Sequence, residues 1–287
     1  MDARALPFAK GHGTGNDFVV LPDPDGLLDP SPSLVASLCD RRFGIGGDGV
    51  LRVVRTNKVP EVADRAGEAA WFMDYRNADG SLAEMCGNGA RVYARYLVQA
   101  GLEPGPRVTL LTRAGRVTAT VGAETVAVEM PFPEVRGASA VTVAGDRLPG
   151  TVATCGNPNL VCQVADPEKL DLTGPMELDP GVFPAGANVE FYTPVEPDAS
   201  DANESERLAV RLRVVERGVG ETLSCGSGAC AAAAVVLHEA GRGSGEVDVL
   251  VPGGELRVAI EDGRCVLSGP AVIVATGEFE PAALGTR

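Results

Sequence analysis

The six residues MCGNGA at 85–90 recur as SCGSGA at 224–229, so the second copy lies about half a chain length after the first. Each copy opens a stretch typical of a helix. Residues 91–100 carry apolar side chains at helical spacing and stop at Gly101, and the alanine-rich residues 231–240 stop at Gly241. A glycine directly after a periodic run is typical of a helix C-cap. The second helix is apolar nearly all round, which predicts burial on every side.

The repeat predicts the fold class. The simplest architecture that fits is an α+β fold of two pseudo-symmetric domains, each a curled mixed or antiparallel β-sheet (a half-barrel) around a central α-helix, with the active site in the cleft between them. We expect residues 1–131 to form the N-terminal domain with Cys86 and residues 132–287 the C-terminal domain with Cys225. The last strand, about 271–287, is expected to pack back on the N-terminal domain, and 131–137 is the expected linker.

Runs rich in β-branched residues surround both helices. They lie at 107–111, 116–121 and 125–130 in the first half and at 210–215, 246–251, 256–260 and 264–267 in the second. Short turns with Gly or Asp separate them, and this combination favours antiparallel meanders over βαβ crossovers. Two polar inserts, 60–68 and 196–206, are predicted to be solvated loops.

Composition excludes several classes of partner. Apolar residues make up 45% of the chain, enough for a buried core, and the net charge of −14 repels nucleic acid and anionic membrane surfaces. No run approaches the ~20 apolar residues of a membrane span, and the first ten residues lack a secretory pattern. We therefore expect a cytoplasmic protein with a small-molecule substrate and neither nucleic acid nor membrane as partner.

The cysteines do not form a disulfide or zinc framework. There are seven of them, an odd count, with no pair at C-x-x-C spacing. No phosphate-binding loop or metal-ligand cluster is present in the sequence, and none of the three lysines stands in a setting typical of pyridoxal phosphate. The expectation is an enzyme with no cofactor and no metal, in which five cysteines (39, 155, 162, 230 and 265) are core residues.

Cys86 and Cys225 differ from the other cysteines because each precedes Gly-x-Gly at a helix start. The free N–H groups and the dipole of a helix start favour negative charge, and a cysteine there can have its pKa lowered from about 8.5 toward ~3.5–7.5. The same N–H groups can hold a carboxylate and stabilise enolate-like charge. A base on one face of a carbon and an acid on the other are what epimerisation requires. The duplicated pair therefore favours a two-thiol epimerase.

With these residues in hand, the chain resembles the diaminopimelate epimerase family, which belongs to the pyridoxal-phosphate-independent racemases. Any one of the shared motifs is weak, but their order along the chain is specific. They are GTGNDF at 13–18, RFGIGGD at 42–48, NADGS at 77–81, CGNGAR at 86–91, GNP at 156–158, NV at 188–189, ERGVGET at 216–222 and CGSG at 225–228.

The resemblance implies a role for each matching residue. Cys86 and Cys225 correspond to the acid/base pair, Arg217 to the group that grips the carboxylate of the non-reacting end, and Glu216 to a group that assists near the reacting centre. The remaining positions would hold the substrate's ammonium and carboxylate groups: Asn16, Asn77, Asn157 and Asn188, with Gly87, Asn88, Gly226 and Ser227 on the helix starts. The implied reaction interconverts LL- and meso-diaminopimelate for lysine and peptidoglycan precursors, in a homodimer.

Two positions depart from the family pattern. Gly49 stands where members commonly carry glutamine, and Asn159 stands where the Gly-Asn-Pro motif is usually followed by histidine. Asparagine can hydrogen-bond but takes up no proton at neutral pH. The departures bear on rate and pH dependence more than on reaction type, and Asn159 and Glu216 are the expected tuning residues.

Other functions stay open on the sequence alone. One is a related racemase acting on proline, although Glu216, Arg217 and four asparagines suit a substrate with polar groups at both ends better. A second is a redox sensor that joins Cys86 and Cys225 in a disulfide. A third is a non-catalytic amino-acid-binding protein, which the retained cysteine pair disfavours. For Asn77 and Asn157 plain turn chemistry is a further explanation.

Overall fold

The computed structural model of the chain describes residues 5–196 and 207–284. These ranges contain the helices α1 (Pro32–Cys39), α2 (Gly87–Gln99) and α3 (Gly226–Glu239). Their strands are β1 (Leu6–Gly13), β2 (Asn16–Pro22), β3 (Gly49–Arg55), β4 (Trp71–Asn77), β5 (Arg107–Thr112), β6 (Gly115–Val121), β7 (Thr125–Met130), β8 (Glu134–Val143), β9 (Asp146–Cys155), β10 (Asn157–Gln163), β11 (Met176–Leu178), β12 (Asn188–Val195), β13 (Leu208–Glu216), β14 (Gly220–Thr222), β15 (Gly245–Val251), β16 (Gly254–Glu261), β17 (Arg264–Pro270) and β18 (Val272–Phe279).

Backbone contacts divide the chain into two compact units. Unit 1 comprises the residues up to Val128 together with those from Pro270 onward, and unit 2 is Glu129–Gly269. In unit 1 the strands run β18-β1-β2-β3-β4-β5-β6-β7, with parallel pairs at β2–β3 and β4–β5 and antiparallel pairs elsewhere. The last strand of the chain therefore completes the sheet that the first strand begins.

Unit 2 repeats this arrangement. Its strands run β8-β9-β10-β12-β13-β15-β16-β17, and the parallel pairs fall at β10–β12 and β13–β15, the places that correspond to those of unit 1. Two short strands are extra: β11 pairs with β8 and β14 pairs with β13. The predicted α+β class with mixed sheets and an internal repeat is confirmed.

Each sheet curls around one buried helix. In α2 the side chains of Val92, Tyr93 and Leu97 are fully buried, and the Tyr93 hydroxyl donates to the Phe72 carbonyl at 2.8 Å. In α3 nearly every residue from Gly226 to Leu237 is buried, because alanine side chains let strands approach from all sides. Both helices end as the sequence predicts, on a glycine with φ of +69°, Gly101 and Gly241.

Two sequence predictions about connections need correction. Antiparallel meanders hold for β5–β7 and β15–β17, but α2 links the parallel strands β4 and β5, and α3 lies between the parallel strands β13 and β15. Such crossovers require a dozen or more residues, which the helices supply. The linker expected at 131–137 is also shorter than predicted, because Glu134 already begins β8.

The structure describes one of the two polar inserts in full and the other only at its first residue. The insert 60–68 contains the one-turn helix Ala63–Arg65, and the insert 196–206 lies outside the described residues except for Glu196. Within the described ranges, every helix is too short or too polar to span a bilayer.

Replacing Gly241 by alanine should lower the free energy of unfolding by about 1 kcal/mol, because an L side chain is strained in the left-handed region. Gly243→Ala is the matched control, since a Cβ at Gly243 meets nothing within 4 Å and its φ lies outside that region. We expect the control to stay within about 0.5 kcal/mol of the parent in urea unfolding. Equal losses in the two variants would show that the helix end does not depend on the glycine conformation.

Candidate active site

Cys86 is the N-cap residue of α2, with φ of −141° and ψ of 119°. Its extended backbone turns the side chain back over the helix start, where Sγ accepts a hydrogen bond from the Gly89 N–H at 3.3 Å. The same sulfur lies 3.6 Å from Oδ1 of Asn16, to which it donates. Cys86 is half-buried, so the thiol sits at a helix start and still reaches solvent.

A chain of amide hydrogen bonds surrounds Cys86. Arg91 donates to Oδ1 of Asn88 at 2.9 Å, Asn88 donates to Oδ1 of Asn16 at 3.2 Å, and Asn16 donates to Asp48 at 2.8 Å. Each donor fixes the amide orientation of the next residue, because an amide that accepts at its oxygen presents its nitrogen elsewhere. We call Cys86, Asn16, Asn88 and Gly87 the first thiol site.

Acidic and basic side chains outside the first thiol site hold its outer end in place. Arg41 donates to Asp48 at 2.9 Å and to Asp17 at 2.6 Å. Burial acts to raise the pKa of Asp17, but hydrogen bonds from Arg41 and Lys10 hold that pKa well below its ordinary value. Asp17 is thus a carboxylate over the whole neutral range, and it anchors the strand start that presents Asn16.

Cys225 occupies the matching position in unit 2, as N-cap residue of α3 with φ of −125° and ψ of 119°. Its sulfur lies 3.5 Å from the hydroxyl of Ser227 and 3.9 Å from Nδ2 of Asn188. Unlike Cys86 it is buried, with 6% of its surface exposed. We call Cys225, Asn188, Gly226, Ser227, Glu216 and Asn159 the second thiol site.

The expectation of a lowered thiol pKa at a helix start is wrong for Cys225. Burial, followed by the negative charge of Glu216, raises the pKa of Cys225 well above its ordinary value. The Ser227 hydroxyl and the Gly228 N–H act in the opposite direction but are outweighed. The hydration free energy that a thiolate loses on burial exceeds the stabilisation that the helix start provides. Cys225 is therefore a thiol at neutral pH.

Asn188 is the centre of the hydrogen bonds at the second thiol site. Its Nδ2 donates to Oδ1 of Asn159 at 3.2 Å, and its Oδ1 accepts from the Arg217 N–H at 3.0 Å. Asn159 is fully buried and donates to the Asn157 carbonyl at 2.7 Å. Asn159, the departure at the usual histidine, therefore orients Asn188 and ties it to the start of β10.

Glu216 is the last residue of β13 and Arg217 is the first residue of the turn that follows, and their side chains have different neighbours. Oε1 of Glu216 accepts from the Thr222 hydroxyl at 2.6 Å, which fixes the carboxylate whose charge acts on Cys225. Arg217 is exposed, and its guanidinium donates to the Ala185 carbonyl at 3.4 Å. Among the described residues it forms no ion pair with a carboxylate, so its planar fork is available to one.

The other predicted residues take local roles in the structure. Asn77 donates to the Ser81 hydroxyl at 3.0 Å within its own turn, which is the turn chemistry that the sequence allowed. Asn157 is exposed at the start of β10. Gly49 has no room for a side chain, because a Cβ would lie 2.5 Å from the Arg76 carbonyl oxygen. A glutamine at that position would require the backbone to shift.

Some residues around the two thiol sites were not singled out by sequence reasoning. Asp48 stands inside a quoted motif, yet its bond to Asn16 depends on a contact across 32 positions of the chain. Glu190 is fully buried beside α3, and its only distinguishing feature in the sequence is that it is a charged residue inside an apolar strand. The five remaining cysteines are buried as predicted, and burial raises the pKa of Cys162 to about 12. Within residues 5–196 and 207–284, His, Cys, Asp and Glu nowhere form a group able to hold a metal ion.

Comparisons with known proteins agree with the motifs. The family model described as diaminopimelate epimerase matches residues 8–135 and 151–278. The chain belongs to the diaminopimelate epimerase family. The diaminopimelate epimerase of Thermobifida fusca is 49% identical over 289 residues, covering 97% of this chain and 100% of that one. That of Rhodococcus jostii is 46% identical over 291 residues, covering 96% and 97%.

Solved structures share the fold at low identity. A PhzF-family phenazine biosynthesis protein from Bacillus anthracis has a TM-score of 0.67 at 16% identity, covering 96% of this chain and 99% of that one. A hydroxyproline epimerase from Agrobacterium vitis has a TM-score of 0.60 at 17% identity, covering 99% and 95%. At this identity they establish the fold that this diaminopimelate epimerase family member shares with them, and no more.

Iodoacetamide at pH 8 should label Cys86 before any other thiol of this family member, because Cys86 is the one cysteine of the seven that is not buried. Peptide mapping by mass spectrometry at increasing times gives the order of modification. The denatured protein is the control, in which the preference should disappear. Labelling of Cys39 or Cys162 at the same rate as Cys86 would contradict the environments described for these thiols.

Proposed function

We propose that the chain interconverts LL- and meso-diaminopimelate by proton transfer between two thiols, Cys86 and Cys225. The observation that carries the proposal is the repeated setting of the two cysteines. Each is the N-cap residue of a buried helix and is followed by Gly-x-Gly. Membership of the diaminopimelate epimerase family supports the substrate, and the repeated thiol supports the type of reaction.

The proposed reaction moves one proton on and one proton off the same α-carbon. One cysteine acts as thiolate, takes the α-proton and becomes a thiol. The other acts as thiol, gives its proton to the opposite face and becomes a thiolate, so that the charge balances and the two roles are exchanged for the reverse direction. Proton transfer from the resting thiol of Cys225 agrees with its raised pKa.

The helix starts are proposed to stabilise the intermediate charge. Gly87 and Asn88 on α2, with Gly226 and Ser227 on α3, are proposed to present N–H groups to the reacting carboxylate. Holding that carboxylate stabilises the enolate-like charge that forms when the α-proton leaves. These donors belong to the first turns of two helices, where the helix dipole favours negative charge.

The remaining residues are proposed to hold the rest of the substrate. Asn16 and Asn188, whose amides are oriented by hydrogen bonds, are proposed to bind the ammonium and carboxylate groups next to the thiols. Asn77 and Asn157 complete the proposed set of asparagines. Arg217, with its exposed guanidinium, would bind the carboxylate of the non-reacting end. The reaction would supply lysine and peptidoglycan precursors in the cytoplasm, in a homodimeric enzyme.

Reduced enzyme incubated with LL-diaminopimelate in D₂O, without added pyridoxal phosphate, should place deuterium at one α-position only. Cys86→Ala and Cys225→Ala should each lower the rate of epimerisation at least about a hundredfold, the range expected for loss of a general acid or base. Cys230→Ala is the matched control, because Cys230 is buried in the same helix as the residues after Cys225. Epimerisation that survives both single replacements would overturn the two-thiol proposal.

Arg217→Met should lower kcat/KM for diaminopimelate about 10- to 100-fold, mainly through KM, because a charged hydrogen-bonded pair contributes about 1.5–3 kcal/mol. Arg211→Met is the control, since Arg211 pairs with Glu168 at the surface of the same unit. Assays with proline separate the nearest rival function. Turnover of proline above that of diaminopimelate, or an Arg217→Met variant with unchanged KM, would exclude the role proposed for this guanidinium.

A further inference from the structure

Glu190, the third residue of β12, is a buried residue that lowers the stability of the fold. It is fully buried, and within the described ranges neither of its carboxyl oxygens has a hydrogen-bond partner. Asp74 is nearly as buried, but Arg76 and Arg113 both donate hydrogen bonds to its carboxylate. Buried carboxylates are usually stabilised by partners of this kind. An unpartnered carboxyl in a protein interior destabilises the fold, so its retention calls for a reason other than packing.

The carboxyl group of Glu190 is aimed at the first turn of α3. A Cβ added at Gly228, the third residue of that helix, would lie 2.5 Å from Oε1 of Glu190. The glycine therefore lets the carboxyl approach the helix backbone. The N–H of the same Gly228 faces the thiol of Cys225 and acts to lower its pKa. One residue of the first turn thus has the catalytic thiol on one side and the buried acid on the other.

The internal repeat identifies the counterpart of Glu190 in unit 1. β3 corresponds to β12 in strand order, and their third residues are Leu51 and Glu190. The glycine contacts give the same pairing independently, because a Cβ at Gly89 of α2 would lie 3.2 Å from Cδ2 of Leu51. Leu51 carries no ionisable group. The buried carboxyl is therefore a property of the second repeat alone.

Three acids share the surroundings of α3. Burial, followed by the charge of Glu216, raises the pKa of Glu190 well above its ordinary value. The charge of Glu190 in turn adds to burial and to Glu216 in raising the pKa of Cys225. The neighbouring strands bring two more thiols, Cys155 on β9, whose charge would act on Glu190, and Cys162 on β10, on which Glu190 acts. A second negative charge in this cluster is disfavoured by the first.

We propose that Glu190 is a positioning residue that acts through Cys225: once ionised, its carboxyl group opposes a second negative charge on this thiol, and so adds to the burial that makes Cys225 the resting acid of the pair. Glu190 is fully buried, and we propose no contact between it and the substrate. Its effect on catalysis would therefore pass through the ionisation of Cys225. The inference rests on the proposed role of Cys225, and it adds a buried carboxyl to the deeper burial that already distinguishes Cys225 from Cys86.

The test is a pH titration of the Cys225 thiol by NMR, with [3-¹³C]cysteine incorporated and the Cys225 signal assigned by its loss in Cys225→Ser. The ¹³Cβ shift reports ionisation without requiring the thiol to be accessible. In Glu190→Gln, which removes the ionisable group at nearly constant shape, the titration midpoint of Cys225 should fall by about one unit. Glu190→Leu, which copies the residue of unit 1, should show the same fall and a higher melting temperature.

Glu177→Gln, which removes an exposed carboxylate of the same unit, is the matched control and should leave the midpoint unchanged. A purely structural role for Glu190 would change melting temperatures but not the midpoint. An unchanged midpoint in both Glu190 variants, a Cys225 that stays a thiol to the alkaline limit in all of the proteins, or a Cys225 already ionised at neutral pH in the parent would each overturn the proposal. The titration needs no turnover, so failure of the epimerase assay and failure of this inference are separate results.

Discussion

The first turn of a helix carries backbone N–H groups that have no partner inside the helix, and both repeats bury that turn against a sheet. Burial makes these groups costly unless something accepts from them. At the start of α2 the Cys86 thiol accepts from the Gly89 N–H, whereas Cys225 makes no such capping bond at the start of α3. One cysteine, two glycines and a short polar residue occupy this turn in both repeats, and the cysteines of the proposed reaction are the N-cap residues of the two helices.

The sequence was sufficient for the parts of the fold that depend on local pattern. Apolar spacing and the two terminal glycines predicted α2 and α3, and runs of β-branched residues predicted the strands after each helix. It failed at the parallel pairs β4–β5 and β13–β15, because a pairing between distant strands leaves no mark in either strand's own composition. Of the strands that precede the helix within each unit, only β13 was predicted, as the run at 210–215.

The candidate site, too, could be predicted from the sequence only in part. The thiols and asparagines could be named from motifs, but the order of their hydrogen bonds could not, since Asp48, Asn16 and Asn88 meet only through tertiary structure. The pKa of Cys225 was predicted in the wrong direction, because a helix start is visible in sequence and the depth of burial is not. Glu190 was overlooked because a single charged residue in a strand usually lies on a solvated face.

The return of β18 to pair with β1 has a consequence for biosynthesis. Unit 2 is continuous along the chain, so its sheet can form as soon as β17 leaves the ribosome. Unit 1 is discontinuous, so β1 has an unpaired edge until β18 is available, and an exposed edge of this kind can pair with wrong partners. Unit 1 therefore cannot complete its sheet without β18, whereas unit 2 needs no strand from outside residues 129–269.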